Sequence, residues 1–97
     1  MKRLIWSPRS IQDLESIREH IARDSPLYAD LVVRRLIHAP SRLQQFPESG
    51  RIVPERGQAD LRELIVRPFR VVYRVRDDAI QIVTVFRASR LLPEVGT

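Results

Sequence analysis

The chain has 97 residues, 43% of them hydrophobic, a formal net charge of +5 and no cysteine. That length fits one domain, residues 1–97, with a modest core. The missing thiols exclude a disulfide framework and a thiolate metal site, and they fit a reducing cytoplasm, the expected location. No apolar run approaches the roughly 20 residues of a membrane span, and Met1 to Pro8 lacks the apolar stretch of a signal peptide, so no membrane contact is expected. Lys2 is the only lysine among 17 basic residues. An arginine bias of this kind follows from a GC-rich coding sequence, but arginine forks also suit phosphates and carboxylates. A chain this basic should seek an acidic partner, either nucleic acid or an acidic protein segment.

Arg3 to Trp6 reads as a short strand. Ser7-Pro8 then starts a helix, the serine as cap and the proline in the first turn. Ile11, Leu14, Ile17 and Ile21 form its apolar stripe, and Arg23-Asp24 ends it. Ser25-Pro26 repeats the start signal for a second helix carrying Ala29, Val32, Val33 and Leu36. Its phase continues to Leu43 through Pro40, which removes the bond to the Leu36 carbonyl and predicts a kink or a restart. The short connection makes the two helices an antiparallel hairpin.

Phe46 to Gly50 is a turn, and Arg51 to Asp60, with Pro54 and Gly57, is a loop or irregular edge. Three strands follow at 61–66, 69–75 and 79–87. In the middle one Phe69, Val71, Tyr73 and Val75 share the face expected on the helices. Arg70, Val72, Arg74 and Arg76 share the face expected to be open. Asp77-Asp78 is the hairpin turn. In the last strand Ile80, Ile82 and Phe86 alternate with Val83, Val85 and Arg87. Apolar residues on both faces make it central, with the first strand on its free side. The expected fold is α+β in the order β-α-α-β-β-β, a helical hairpin packed on one face of a small antiparallel sheet.

Cleaving RNA through its 2′-hydroxyl requires a base, a cation at the phosphate and an acid for the leaving oxygen. Arginine supplies only the cation, because its pKa exceeds about 12. Lys2 is at the far end of the chain, Tyr73 is on the core face, and His20 and His38 are on the hairpin, away from the arginine face. Glu63 beside Arg62 reads as a structural ion pair. No catalytic residue is therefore assigned. The histidines lack ligand spacing, and Gly50, Gly57 and Gly96 are scattered, so no metal, cofactor or phosphate loop is expected. Val72, Val83 and Val85, set among arginines on the open face, suit an amphipathic acidic segment that folds on docking.

Several local patterns run in a familiar order. Ala22-Arg23-Asp24-Ser25-Pro26 with Ala29, Leu43 to Arg51 as L-x-x-F-P-x-x-G-R, Leu61-Arg62-Glu63-Leu64, and Arg70-Val71-Val72-Tyr73-Arg74-Val75 together resemble the ParE/RelE toxin superfamily of type II toxin–antitoxin systems, in its ParE-like branch. The likeness covers nearly the whole chain. It implies a toxin that poisons DNA gyrase. It also implies a hetero-oligomer with a cognate ParD-like antitoxin, acidic, with a ribbon-helix-helix DNA-binding part, and DNA contact only through that antitoxin. The alternative that the superfamily implies is a RelE-like, ribosome-dependent mRNA endonuclease. Relatives of that kind carry Tyr or His near the C-terminus, and many ParE-type relatives carry His near the end of the last strand. This chain has neither after Tyr73, with Phe86 near the place of that His. The target-binding candidates are Arg51, Arg62, Arg74, Arg87 and Arg90; the antitoxin-binding candidates are Val72, Val83 and Val85.

Overall fold

A computed structural model describes residues 1–95; Gly96 lies outside the described residues. The elements are β1 (Arg3–Trp6), α1 (Pro8–Ala22), α2 (Pro26–His38), a 3₁₀ helix (Ala39–Gln44), β2 (Arg51–Ile52), β3 (Leu61–Val66), β4 (Phe69–Val75) and β5 (Ala79–Arg87). The five strands form one sheet in the order β1-β5-β4-β3-β2. β2 to β5 are antiparallel neighbours, but β1 runs parallel to β5, so the sheet is mixed rather than purely antiparallel. A strand that enters before a helical hairpin and pairs with the last strand has completed a crossover, and its direction follows from that.

Both helices start as the serine-proline pairs require. Ser7 Oγ accepts from the Ser10 N–H at 3.1 Å, and Ser25 Oγ accepts from the Tyr28 N–H at 3.1 Å. Leu14, Ile17 and Ile21 pack on the sheet, but Ile11 is 46% exposed. At about 100° per residue Ile11 points about 90° away from the direction those three share, whereas Ser10 lies within about 15° of it. Ser10 takes the buried place and satisfies its hydroxyl on the Ser7 carbonyl at 2.7 Å. At Pro40 the chain does not bend as one helix. α2 ends at His38 and continues as the 3₁₀ helix, with Leu36 and Leu43 both fully buried.

The segment after Gly50, expected as a loop or irregular edge, begins as a short edge strand: Arg51 pairs with Glu63 and Ile52 with Arg62. The helix side of the sheet holds the main core, in which Val71, Tyr73, Ile80 and Ile82 meet Val32, Leu36 and Leu43. The opposite face was expected to be open, and it is not. Val53 from the segment after β2 and Leu92 from the C-terminal segment join Leu61, Val72, Val83 and Phe86 in a second apolar cluster.

A bulge in β5 redistributes its side chains. Val72 faces Thr84 while Tyr73 faces Ile82, which leaves Val83 as the extra residue. Beyond it the parity reverses: Val85 joins Ile80 and Ile82 in the main core, and Phe86 joins Val83 in the second cluster. The simple alternation of the sequence reading placed both the other way. β5 also outruns the short β1. Its free edge past Trp6 is sealed by Ser7 Oγ, donating to the Val83 carbonyl at 2.9 Å, and by Asp13 Oδ2, accepting from the Val85 N–H at 2.9 Å.

Tyr73 anchors the turn that leads into β2. Its hydroxyl donates to the Pro47 carbonyl at 2.8 Å and accepts from the Gly50 N–H at 3.0 Å. A Cβ at Gly50 would stand 2.5 Å from that hydroxyl and 2.6 Å from the Glu63 carbonyl oxygen, so only glycine permits the approach. Replacing Tyr73 by Phe strands the buried Gly50 N–H and the part-buried Pro47 carbonyl and should cost about 1–3 kcal/mol in urea unfolding. Gly50→Ala should also destabilise, because the clash is partly with backbone. A Tyr73→Phe midpoint equal to that of the unaltered protein would show that the hydroxyl anchors nothing.

Candidate functional site: the arginine face and the cleft beside it

Glu63 projects from β3 onto the second face and is 1% exposed. One carboxylate oxygen accepts from Arg70 Nε at 2.6 Å and the other from Arg51 Nε at 2.5 Å. Its partners are thus Arg70 and Arg51, not the neighbouring Arg62, whose side chain leaves the strand on the other side. Arg70 is itself buried. It meets Glu55 with both terminal nitrogens, at 2.9 and 2.8 Å, donates to the Arg90 carbonyl at 3.1 Å, and lies 4.8 Å from the Phe86 ring centroid. Glu55 accepts in turn from the Leu92 N–H at 2.7 Å. One arginine therefore ties a buried carboxylate, the loop after β2 and the C-terminal segment together.

These contacts set the titration. Hydrogen bonding to Arg70 lowers the Glu55 carboxyl from 4.5 to about 2, with burial opposing and the Leu92 N–H assisting. The Glu55 hydrogen bond raises the Arg70 guanidinium still further. Burial pushes the Tyr73 phenol up, against a lowering bond from Gly50.

The five target-binding candidates separate into two groups. Arg62 donates to the carbonyls of Ala59, Glu48 and Gly50, and Arg74 pairs with Asp60 at 2.9 Å; both side chains are largely buried. Arg51 is more exposed but is committed to Glu63. Arg87 and Arg90 are exposed, with Arg87 over the Phe69 ring at 5.5 Å. Among the described residues neither has a carboxylate within ion-pair distance.

The three valines are not the exposed strip that the sequence suggested. Val72 is fully buried, Val85 is 2% exposed in the helix-side core, and Val83 is half-buried. The cover over the second face and the bulge account for this. Exposed apolar side chains lie instead on the outer side of α2, at Leu27, Tyr28 and Leu31.

His20 also sits differently. With Arg9 and Asp13 of α1 it lines a cleft of about 370 Å³ whose other wall carries Arg87, Arg90 and Leu91. The sequence placed His20 away from the arginines because it gives no measure of how α1 lies along β5. Asp13 is already engaged, accepting from the Thr84 hydroxyl at 2.6 Å as well as from Val85. Lys2 is engaged too, its ammonium donating to the Arg76 and Asp77 carbonyls at 2.7 and 2.6 Å. Arg9, Glu55 and Arg70 were not among the candidates. A signal for the last two existed: an acidic residue in a Pro/Gly loop and an arginine between apolar neighbours on a central strand each need a buried or local partner. Among the described residues no group of three His, Cys, Asp or Glu side chains could hold a metal ion, and no helix is long and apolar enough to cross a membrane.

A helical hairpin on a five-stranded mixed sheet defines a small α+β protein of the ParE/RelE toxin fold. The chain belongs to the ParE toxin family of type II toxin-antitoxin systems (parDE), whose model matches residues 4–92. It is 39% identical over 92 residues to a protein named toxin RelE2 from Caulobacter vibrioides, an alignment covering 94% of this chain and all of that one. The solved chromosomal ParDE toxin–antitoxin system of P. aeruginosa contains a chain 29% identical, superposing with a TM-score of 0.75 over 90% of this chain and 96% of that one. The YoeB dimer from Staphylococcus aureus shares the fold at a TM-score of 0.58 and 14% identity, over 86% and 92% of the two chains.

Removing the Glu63 carboxylate leaves the buried Arg70 Nε–H unpaired while Glu55 still balances its charge, so Glu63→Ala should lower unfolding free energy by about 1–3 kcal/mol in denaturant titration. A loss below 1 kcal/mol would contradict the role given to this pair. Glu55 has its carboxyl depressed in the folded state. Its stabilisation is therefore complete above about pH 4.5 and is lost as pH falls towards about 2. Thermal melts between pH 6 and 2 should show a shallower acid limb for Glu55→Gln than for the unaltered protein; parallel limbs would mean that the carboxylate is not held down.

Proposed function

We propose that this toxin acts in the cytoplasm by binding DNA gyrase and trapping its cleaved DNA complex, inhibiting growth. A cognate ParD-like antitoxin, acidic and with a ribbon-helix-helix DNA-binding part, neutralises it in a hetero-complex and makes the pair's DNA contact. The ParE family membership and the likeness to a chain of the ParDE system support the partner. Exposed Leu27, Tyr28 and Leu31 offer an amphipathic segment an apolar strip.

One observation carries the choice of poison over nuclease: the proton-transfer groups of the sheet are committed to structure. Glu63 is buried between two guanidiniums, and the Tyr73 hydroxyl is spent on Pro47 and Gly50. Arg87 and Arg90 remain to grip an acidic surface, and they cannot shuttle protons.

The second reading, a RelE-like mRNA endonuclease, is favoured by one feature. His20 lines the same cleft as Arg9, Arg87 and Arg90, which brings a general base near cations. The test uses purified toxin in a gyrase supercoiling and DNA-cleavage assay and with ribosomes programmed with mRNA. Accumulated gyrase–DNA cleavage, intact message and no effect of His20→Asn are expected. Message cut at codon-positioned sites, with a hundredfold or greater loss in His20→Asn, would replace the poison by the nuclease.

A further inference from the structure

The cleft between α1 and the exit of β5 has a charged rim without its own counter-ions. Arg87 and Arg90 have no carboxylate partner among the described residues. Among the described residues Arg9 makes only neutral hydrogen bonds, to Thr84 Oγ1 at 3.3 Å and the Glu94 carbonyl at 3.1 Å. The one carboxylate in the lining, Asp13, is turned to Thr84 and Val85. His20 and the hydroxyl-bearing Ser16 complete the polar side. Beneath the rim the lining is apolar, with Ile17, Ile21, Val85 and the exposed Leu91, and the rings of Phe69 and Phe86 beside them.

We infer that this cleft is a docking site for an acidic peptide segment, with carboxylates on Arg87, Arg90 and Arg9 and an aliphatic side chain on the floor between Ile17, Ile21 and Leu91. The commitment to a peptide comes from the floor. A single-stranded nucleotide asks for a ring face to stack on. Of the two rings in the lining, Phe69 is buried beneath Arg87, and Phe86 is half-buried with Arg70 over one face and packed on the second apolar cluster, so neither is a free stacking platform. Carboxylates beside an aliphatic anchor match both halves of the lining. A volume of about 370 Å³ takes a few side chains, the size of a local anchor rather than a whole interface. The inference rests on the antitoxin reading: the segment belongs to the acidic part of the antitoxin, and its seat lies apart from the apolar strip of α2.

The experiment measures binding of purified cognate antitoxin, and of a labelled acidic peptide cut from it, by fluorescence anisotropy. The cleft is altered by Arg87→Glu with Arg90→Glu, and separately by Leu91→Ser. Arg23→Glu with Arg56→Glu makes the same charge change at two exposed positions elsewhere, and circular dichroism confirms that every variant is folded. A loss of tenfold or more for the Arg87/Arg90 pair, severalfold for Leu91→Ser and less than threefold for the Arg23/Arg56 pair is expected. Tight antitoxin binding that ignores the Arg87/Arg90 change, or falls equally with the Arg23/Arg56 change, overturns the cleft and leaves the antitoxin reading standing. No binding of the antitoxin by the unaltered protein overturns that reading and the cleft with it. An RNA dodecamer that binds more tightly than the peptide, and depends on Arg87 and Arg90, assigns the cleft to nucleic acid instead.

Discussion

A single buried carboxylate organises the second face of this sheet. Glu63 is out of water, and an ionised carboxylate there is costly unless cations and hydrogen bonds surround it. Arg51 and Arg70 provide both, one on each oxygen. Arg70 has donors left over, and it spends them on Glu55 and on the Arg90 carbonyl. The ion pair therefore does more than neutralise itself. It fixes the loop after β2 and the C-terminal segment where Val53 and Leu92 can cover Val72. The apolar cluster and the ionic network on this face are cooperative: the first keeps water from the second, and the second holds the cover that builds the first.

That cooperation changes the meaning of the positive charge. An arginine-rich sheet suggests a surface waiting for a polyanion, yet Arg51, Arg62, Arg70 and Arg74 all serve the fold. Of the target-binding candidates, the charge left for a partner lies past the end of the last strand, where Arg87 and Arg90 follow β5 and Arg9 approaches from α1. A partner approaching the sheet meets arginines already spent on the fold across its second face, and uncommitted ones where the last strand ends.

The parts of the fold written in local chemistry were legible in the sequence. Ser7-Pro8 and Ser25-Pro26 start helices wherever they precede an apolar stripe, and a last strand apolar on both faces had to be central. The misplacements arose where the outcome depends on contacts between distant segments. The β5 bulge leaves no glycine to betray it, the polar Thr84 beside it reads as one more alternating strand residue, and one extra residue suffices to send Val85 and Phe86 to opposite faces from those expected. The burial of Val72 depends on Val53 and Leu92, 19 and 20 residues away along the chain, whose segments looked like open connections. Glu63 was legible as one half of an ion pair, but strand alternation places Arg62 across the sheet from it, so its partners had to come from β2 and β4.

The cleft follows from a mismatch in strand length. β1 is four residues and β5 is nine, so more than half of β5 has no strand beside it on that edge. An unpaired edge in a small protein is a site for unwanted pairing. Here α1 lies along it, and Asp13 does what a strand carbonyl would have done for the Val85 N–H. This contact sets where α1 runs. From Asp13 to His20 the helix advances about 10 Å, and over a similar distance beyond Val85 the chain passes Arg87 and turns toward Arg90. His20 and the two free arginines therefore share a cleft because a short first strand left an edge for α1 to cap. The capping serves the fold, and the cleft proposed as the docking site results from it.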